Sequence, residues 1–350
     1  MLKLSVIIPV YKVESFIHPC VESVYSQGLD DADFEVIFVN DGTPDNSFKK
    51  IEDILAKHLN FTIINQENQG LSIARNIGTL HASGKYLLYV DSDDLLIVNC
   101  LQSLLNIALD SNADMIIFDY IKMDNNEIEL RFVNSVLQNL EKPKQEQLNC
   151  QKGWDFFLND YDCQGYVWRV LFNRHFLESK HLLFFPGITF EDIPFLVDCL
   201  LEDGFIIKVP LISYIYRQNP DSTVYTPNKK KLMDLNVVME SLWAKKENNS
   251  YPKEIKRRLT DILFYVFNNF KWRIILNNGV YSERYDIIHD LRERIPDLKF
   301  DNNIQQLIVT FLFRLMPYRF FEIRRYMDNA IWKIKKTWRF LRHRDSVSNA

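Results

Sequence analysis

The chain has 350 residues, 47% of them apolar, and a formal net charge of −4, enough for about two packed domains and too apolar for a disordered sequence. Its five cysteines (Cys20, Cys100, Cys150, Cys163 and Cys199) are dispersed, with no C-x-x-C pair, which argues for a reducing compartment and against a disulfide scaffold or zinc site. Met1–Leu4 runs straight into a strand-like stretch, and no apolar run reaches the roughly 18 residues that span a bilayer. The expectation is a cytoplasmic protein, or one attached to the cytoplasmic face of a membrane.

In chain order, Leu4–Tyr11 is a β-branched run whose Pro9 suits a strand end. Ser15–Gln27 carries Phe16, Ile17, Cys20, Val21 and Val24 at helical spacing, and Gly28 closes it. Phe34–Val39 is a second strand, opening into Asn40–Ser47, which is dense in turn formers. A helix over Phe48–His58, a strand over Phe61–Asn65, a break at Asn68-Gln69-Gly70 and a helix over Leu71–His81 follow. The strand Tyr86–Val90 then meets Asp91-Ser92-Asp93-Asp94, ahead of a helix expected over Leu95–Leu109.

Strand and helix alternate, which predicts a doubly wound, mostly parallel α/β sheet with its ligand at the carboxyl edge. There is no G-x-G-x-x-G and no P-loop, so a dinucleotide or P-loop site is unsupported. Three carboxylates within four positions at such an edge repel one another unless a cation neutralises them. Hard oxygen donors suit Mg²⁺ or Mn²⁺ shared with substrate phosphates, and the competing explanation is an acidic helix N-terminus. Asp41 is either an acceptor for a nucleobase N–H or ribose hydroxyl, or an Asx cap of the next helix. Arg75 and Asn76 either reach a base or phosphate or line a solvated helix face.

Together, Ser5–Tyr11, Val39–Ser47, Asn68–Gly78 and Tyr89–Asp94 resemble the family 2 glycosyltransferases, with their GT-A nucleotide-diphospho-sugar transferase fold. The resemblance implies that Pro9, Val10, Tyr11, Asp41 and Arg75 hold the nucleotide, usually uridine. It implies that Asp91, Ser92 and Asp93 serve as the D-x-D, binding ribose and the Mn²⁺ or Mg²⁺ on the diphosphate, with Asp93 the first metal ligand and Asp91 the second. Lys12 stands where asparagine is common, and Asn40 where an aspartate often precedes the Asp-Gly.

An inverting sugar transfer also needs a carboxylate, separate from the metal ligands, to take the acceptor's proton. Ala113–Ile121 reads as a strand, Glu127–Val133 alternates as its hairpin partner or a sheet extension, and 134–149 reads as a polar loop. Phe190-Glu191-Asp192-Ile193-Pro194 opens a helix, where acidic residues are commonplace. That pair follows Gly165–Phe172, which resembles the family's Trp-containing segment, and the resemblance implies Asp192 as general base with Glu191 contacting acceptor or donor hydroxyls. Trp168 is either a sugar-stacking face or a core tryptophan. Ile212–Thr223 resembles the family's Tyr-x-Tyr-Arg…Ser segment, making Arg217 a binder of diphosphate or acceptor, or else one half of a structural ion pair.

The composition changes near residue 226. Residues 1–225 are expected as the catalytic domain, its nucleotide-sugar half over 1–110 and its acceptor half over 111–225, and 226–350 as a helical region with a basic, aromatic tail. Leu232–Glu247 and Lys253–Leu276 read as helices. From Asn303 to Asp345 there are ten Lys or Arg against three acids, while the remainder is acidic. With Ile331, Ile334, Trp338 and Leu341 on one face, the tail reads as an interfacial helix drawn to anionic lipid or as a helix packed on the body. The acidic body disfavours nucleic acid as a partner.

The expected function is metal-dependent, inverting transfer of a sugar from a nucleotide-diphosphate donor, a UDP-sugar, to a saccharide or lipid-linked saccharide in cell-surface polysaccharide biosynthesis. A processive polysaccharide synthase would want transmembrane helices and a Gln-x-x-Arg-Trp motif, and the sequence has neither. A non-catalytic nucleotide-sugar-binding protein would need Asp192 far from the anomeric carbon. A nucleotidyltransferase would need a Gly-rich N-terminal signature.

Overall fold

A computed structural model of the chain describes residues 2–132, 148–218, 228–276, 283–300, 302 and 304–315. The chain divides into two compact units, 1–225 and 226–350. In the first, the strands are β1 (Leu4–Val10), β2 (Phe34–Asp41), β3 (Phe61–Gln66), β4 (Tyr86–Tyr89), β5 (Leu95–Leu96), β6 (Met115–Met123), β7 (Asn149–Lys152), β8 (Val170–Asn173) and β9 (Phe205–Arg217). Its helices are α1 (Ile17–Tyr25), α2 (Glu52–Leu55), α3 (Leu71–His81), α4 (Cys100–Ser111), α5 (Asn125–Phe132), α6 (Gly153–Asn159), α7 (Arg174–Ser179) and α8 (Asp192–Leu201).

Among the described residues, the nine strands join one sheet in the order β3-β2-β1-β4-β8-β6-β9-β5, with β7 also paired to β9. Strand β1 lies between β2 and β4 and is parallel to both. Every residue of β1 is buried, as a strand covered on both faces requires. Pro9 is tolerated there for a geometric reason. The Ile7 carbonyl accepts from Val90 N–H, so Pro9, two residues on, turns its missing N–H to the same side, beyond the β1–β4 register that ends at Ile7.

The parallel order is interrupted. Strand β8 runs antiparallel between β4 and β6, and β5 and β7 are antiparallel to β9, while β6 and β9 are parallel. The β6–β9 register shifts twice in a bulged stretch: Pro210 and Leu211 are passed over between the Phe118–Val209 and Asp119–Ile212 pairs, and Ser213 before Tyr120 faces Tyr214. Tyr214 and Arg217 therefore arrive at the carboxyl edge in a register that depends on this bulge.

Three local expectations are corrected. Leu95 and Leu96 form a short strand against Ile215 and Tyr214, and α4 starts only at Cys100, after Asn99 turns at φ +60. The full burial of Leu95–Ile97 is sheet burial, which an apolar run cannot distinguish from a helix. Residues 48–58 hold a single 3₁₀ turn (Phe48–Ile51) and the one-turn α2. The segment expected as an extended partner from Glu127 is instead α5, begun by a reciprocal capping box. Glu127 N–H donates to Asp124 Oδ1 at 2.9 Å, and Asp124 N–H donates to Glu127 Oε2 at 3.1 Å. Most of the expected loop over 134–149 lies outside the described residues.

The second unit contains α9 (Lys229–Glu247), α10 (Lys253–Leu276), α11 (Arg284–Arg294) and α12 (Ile304–Leu315). Leu235, Val238, Met239 and Leu242 of α9 and Ile255, Leu259 and Ile262 of α10 are buried where the two helices pack. Asn236 Nδ2 donates to the Ile287 carbonyl at 2.9 Å and to Asp290 at 2.8 Å, fixing α11 on α9. The basic tail from 316 onward lies outside the described residues. No helix among the described residues is long and apolar enough to cross a membrane.

Candidate active site

The ends of β1, β2 and β4 carry the candidate nucleotide residues. Pro9 and Val10 are buried, so their side chains belong to the core, whereas Tyr11 is 40% exposed. The loop after Tyr11 is stapled to the loop after β2 through side chains. Lys12 N–H donates to Thr43 Oγ1 at 2.8 Å, Val13 N–H to Ser47 Oγ at 3.2 Å and Glu14 N–H to Asp45 Oδ2 at 3.0 Å. Asp45 also accepts from the Thr43 hydroxyl at 2.7 Å and the Ser47 hydroxyl at 2.6 Å. Burial works against its ionised form, but these bonds outweigh it and hold its pKa below the usual carboxylate value.

Asp41 is 4% exposed, and its carboxylate organises the next loop. Oδ1 accepts from Gln66 Nε2 at 2.7 Å and Gln69 N–H at 2.8 Å, and Oδ2 accepts from Gly70 N–H at 2.9 Å. Asp41 thus secures the entrance of α3, where Gly70 adopts φ +89, a conformation a side chain resists.

At the end of β4 the four-residue acidic run divides by role. Asp94 is 1% exposed, accepting from Tyr214 Oη at 2.9 Å and Arg217 N–H at 2.8 Å. Burial first, then Asp93 and Asp91, raise its pKa. Arg217 donates from Nε to the Asp93 carbonyl at 2.6 Å and from the terminal Nη1 to Asn125 Oδ1 at 2.7 Å, and so grips this loop from β9. Ser92 is buried, and the half-buried Asp93 is pushed up to about 6 by burial and then by Asp91. Among the described residues, Asp93 forms no ion pair, and no cluster of three or more His, Cys, Asp or Glu makes a protein-only metal cage. Two adjacent carboxylates, one of them unpaired and strained by like charge, fit a hard cation completed by phosphate oxygens.

Arg75, 3% exposed, joins this cluster to the acidic pair 100 residues downstream. One terminal nitrogen donates to Asp91 Oδ1 at 2.7 Å and the other to Glu191 Oε1 at 2.6 Å. Burial opposes its charge, but Asp91, Glu191 and Asp192 prevail and raise its pKa. Among the described residues, its buried Nε has no hydrogen-bond partner. Phe190 holds φ +70 just before Glu191, a strained turn for a phenylalanine that aims the pair inward. Asp192 opens α8, where its Oδ1 accepts from Ile193 N–H at 2.9 Å. Burial and then the charge of Glu191 push Asp192 up to about 8, and burial also raises Glu191. Gly165 explains how the Trp-containing segment comes so near: a Cβ there would lie 2.6 Å from Ile193 N.

Trp168 is a core residue, 3% exposed and stacked on Tyr214 at 4.3 Å and Tyr166 at 4.7 Å. Sequence reasoning gave no separate role to Tyr214, whose hydroxyl also accepts Asp91 N–H at 3.1 Å. Tyr214 falls in the Tyr-x-Tyr-Arg segment, but the partners that define its role lie more than a hundred residues away in sequence. Asn76 is half-buried, and its carboxamide binds the backbone of Phe184.

The model of the family described as Glycosyl transferase family 2 matches residues 5–171. The uncharacterized glycosyltransferase EpsJ of Bacillus subtilis (strain 168) is 36% identical over 230 residues, which are 64% of this chain and 64% of that protein. The chain thus spans just under two thirds of that relative. An uncharacterized glycosyltransferase of Haemophilus influenzae is 30% identical over 200 residues, 57% of this chain and 72% of that protein. Among solved structures, Staphylococcus aureus TarS 1–349 in complex with UDP superposes with a TM-score of 0.64 at 19% identity, covering 84% of this chain and 81% of that one. At that identity the likeness concerns the fold.

Proposed function

The chain belongs to glycosyl transferase family 2, and from that premise we propose that it transfers a sugar, with inversion, from a UDP-sugar to a saccharide hydroxyl, assisted by Mn²⁺ or Mg²⁺. The observation that carries this is the Arg75 fork, which bonds Asp91 at the end of β4 and Glu191 at the entrance of α8. A donor cluster and a separate acidic pair thereby share one edge of the sheet. The binding of UDP by TarS supports uridine as the nucleotide.

In this proposal Tyr11 and the loop secured by Asp41 receive the nucleotide, and Asp91, Ser92 and Arg217 flank ribose and diphosphate. Asp93, then Asp91, would hold the cation, which when bound neutralises charge gathering on the departing diphosphate. The acceptor oxygen bonds to the anomeric carbon as the bond to the diphosphate breaks, and the electron pair leaves on UDP. Asp192 takes the acceptor's proton, a task suited to a carboxylate whose pKa is raised to about 8. Glu191, tied to Arg75 through one oxygen, contacts a sugar hydroxyl with the other.

Residues 1–225 are proposed as the catalytic unit and 226–350 as a helical region whose tail, 303–345, touches anionic membrane at the cytoplasmic face; its ten basic against three acidic residues support that contact. The acceptor proposed is a saccharide or lipid-linked saccharide of a cell-surface polysaccharide. The test is nucleotide release, with Mn²⁺, from a panel of UDP-glucose, UDP-galactose, UDP-N-acetylglucosamine, UDP-N-acetylgalactosamine and GDP-mannose. Release from a UDP-sugar that is lost in Asp192→Asn supports the proposal. Release from none, or full release by Asp192→Asn, overturns it.

A further inference from the structure

Asn76 follows Arg75 on α3, and both ends of its carboxamide are used on one residue. Nδ2 donates to the Phe184 carbonyl at 2.9 Å, while Oδ1 accepts Phe184 N–H at 2.9 Å. One helical turn earlier, Ser72 Oγ donates to the Ile188 carbonyl at 3.3 Å. Residues 182–190 therefore form a strap that runs along α3 in the opposite direction, tied at 184 and at 188.

The strap has no regular secondary structure of its own, so its backbone groups depend on outside partners. Its side chains alternate: Phe184 is 1% exposed, between Leu183 at 55% and Phe185 at 47%. Phe184 stacks on Phe195 of α8 at 3.9 Å, meets Tyr89 of β4 edge-on at 5.2 Å and lies 5.3 Å from the Arg75 guanidinium. Beyond the second tie the chain passes Phe190 and delivers Glu191 to Arg75.

We propose that Asn76 is a positioning residue for the Glu191–Asp192 pair: its two bonds to Phe184 fix the register of the strap, and the register decides whether the pair meets Arg75. A slip of one residue in an extended segment moves everything after it by about 3.3 Å and reverses its side chains. That exceeds the tolerance of the 2.6 Å contact between Arg75 and Glu191. Only a neutral carboxamide offers a donor and an acceptor in the geometry that one peptide unit presents. An aspartate keeps the acceptor and sets its charge against the Phe184 carbonyl, and an alanine loses both bonds. The inference rests on the proposed role of Asp192 as base.

The test uses the full-length chain and the variants Asn76→Ala, Asn76→Asp and Asp192→Asn. Calorimetry reads UDP affinity with Mn²⁺, nucleotide release reads turnover on the panel donor that the wild type uses, and hydrogen exchange reads residues 182–192. Asn76→Ala is expected to keep UDP affinity within about 2-fold, to lower kcat by about 10- to 100-fold, and to speed exchange in the strap alone. Asn76→Asp falls between it and the wild type. Unchanged kcat with a loosened strap overturns the positioning role, and so does a parallel loss of kcat and UDP affinity. Should Asn76→Ala fail to fold, Asn76→Asp decides by the same split. Full turnover in Asp192→Asn, or none in the wild type, overturns the proposed function and this inference with it. A dead Asp192→Asn beside a fully active Asn76→Ala overturns this inference alone.

Discussion

The hydroxyl of Tyr214 donates to the buried carboxylate of Asp94 at 2.9 Å while accepting the backbone N–H of Asp91, so one atom from β9 fastens both ends of the acidic loop. Tyr214→Phe keeps the ring stacked on Trp168 and strips the loop of both bonds. The expected loss is about 1–3 kcal/mol, the cost of leaving buried polar groups unpaired. Chemical denaturation checks it. UDP affinity with Mn²⁺ should weaken as well, and full retention of both would mean that the loop holds its shape unaided.

Arg75 neutralises two carboxylates on different elements. Arg75→Leu leaves Asp91 and Glu191 facing each other without a cation, at an expected cost of about 3–5 kcal/mol. The deficit should shrink as pH falls and Glu191, whose pKa burial already raises, takes up a proton. Arg75→Lys should recover only part of it, since an ammonium lacks the planar fork that reaches both partners. Denaturation at two pH values reads all three statements.

Asp93→Ala is expected to remove the Mn²⁺-dependent part of UDP binding and to leave the metal-free part nearly unchanged. Titration calorimetry with Mn²⁺ and with a chelator separates the two. Equal Mn²⁺ enhancement in the variant would move the metal site elsewhere.

Asp192 gives a prediction for pH. Its folded-state pKa of about 8 lies above the ordinary carboxylate value near 4, so the folded chain keeps a proton that the unfolded chain releases. The stabilisation this provides is complete below about pH 4 and disappears as pH rises through about 8. In the proposed role of general base Asp192 must be ionised, so kcat should climb with pH and level off above about 8. Asp192→Asn should flatten the pH dependence of stability over that window and lower kcat by about 10²–10⁴-fold. A pH–rate profile beside a pH–stability series checks both.

Trp168→Ala should behave as a core deletion, costing about 3–5 kcal/mol. Measured unfolding free energy decides. A change in acceptor KM with stability intact would return this ring to a role in sugar binding.

The residues legible in advance are those whose signal is local. Strands β1, β2 and β4 are continuous apolar runs that stop at turn formers or carboxylates, so the carboxyl edge and its polar ends could be read directly. The Asp124–Glu127 box was equally local, but the alternation from Glu127 to Val133 masked it. Leu95–Leu96 shows the converse: full burial of a short apolar run fits sheet and helix alike, and the pairing with Tyr214 and Ile215 decides. The duties of Tyr214 and Asn76 could not be read at all, because each depends on partners brought in by the β9 bulge or by the strap, far away in sequence. The sequence leaves Asp41 and Trp168 open between two roles each. Packing resolved Trp168, and it showed that Asp41 spends three bonds on the α3 entrance.

The clasp centred on Asp45 limits how this chain can be re-engineered. Three successive backbone N–H groups, at Lys12, Val13 and Glu14, are satisfied by side chains of Thr43, Ser47 and Asp45. The debt is mutual, because Asn46 N–H donates to Glu14 Oε2 at 2.8 Å. A chimera that imports either loop alone breaks a contract between them, however well the strands beneath align. Residues 11–14 and 43–47 are therefore a single transplantable cassette, written in two places in the gene.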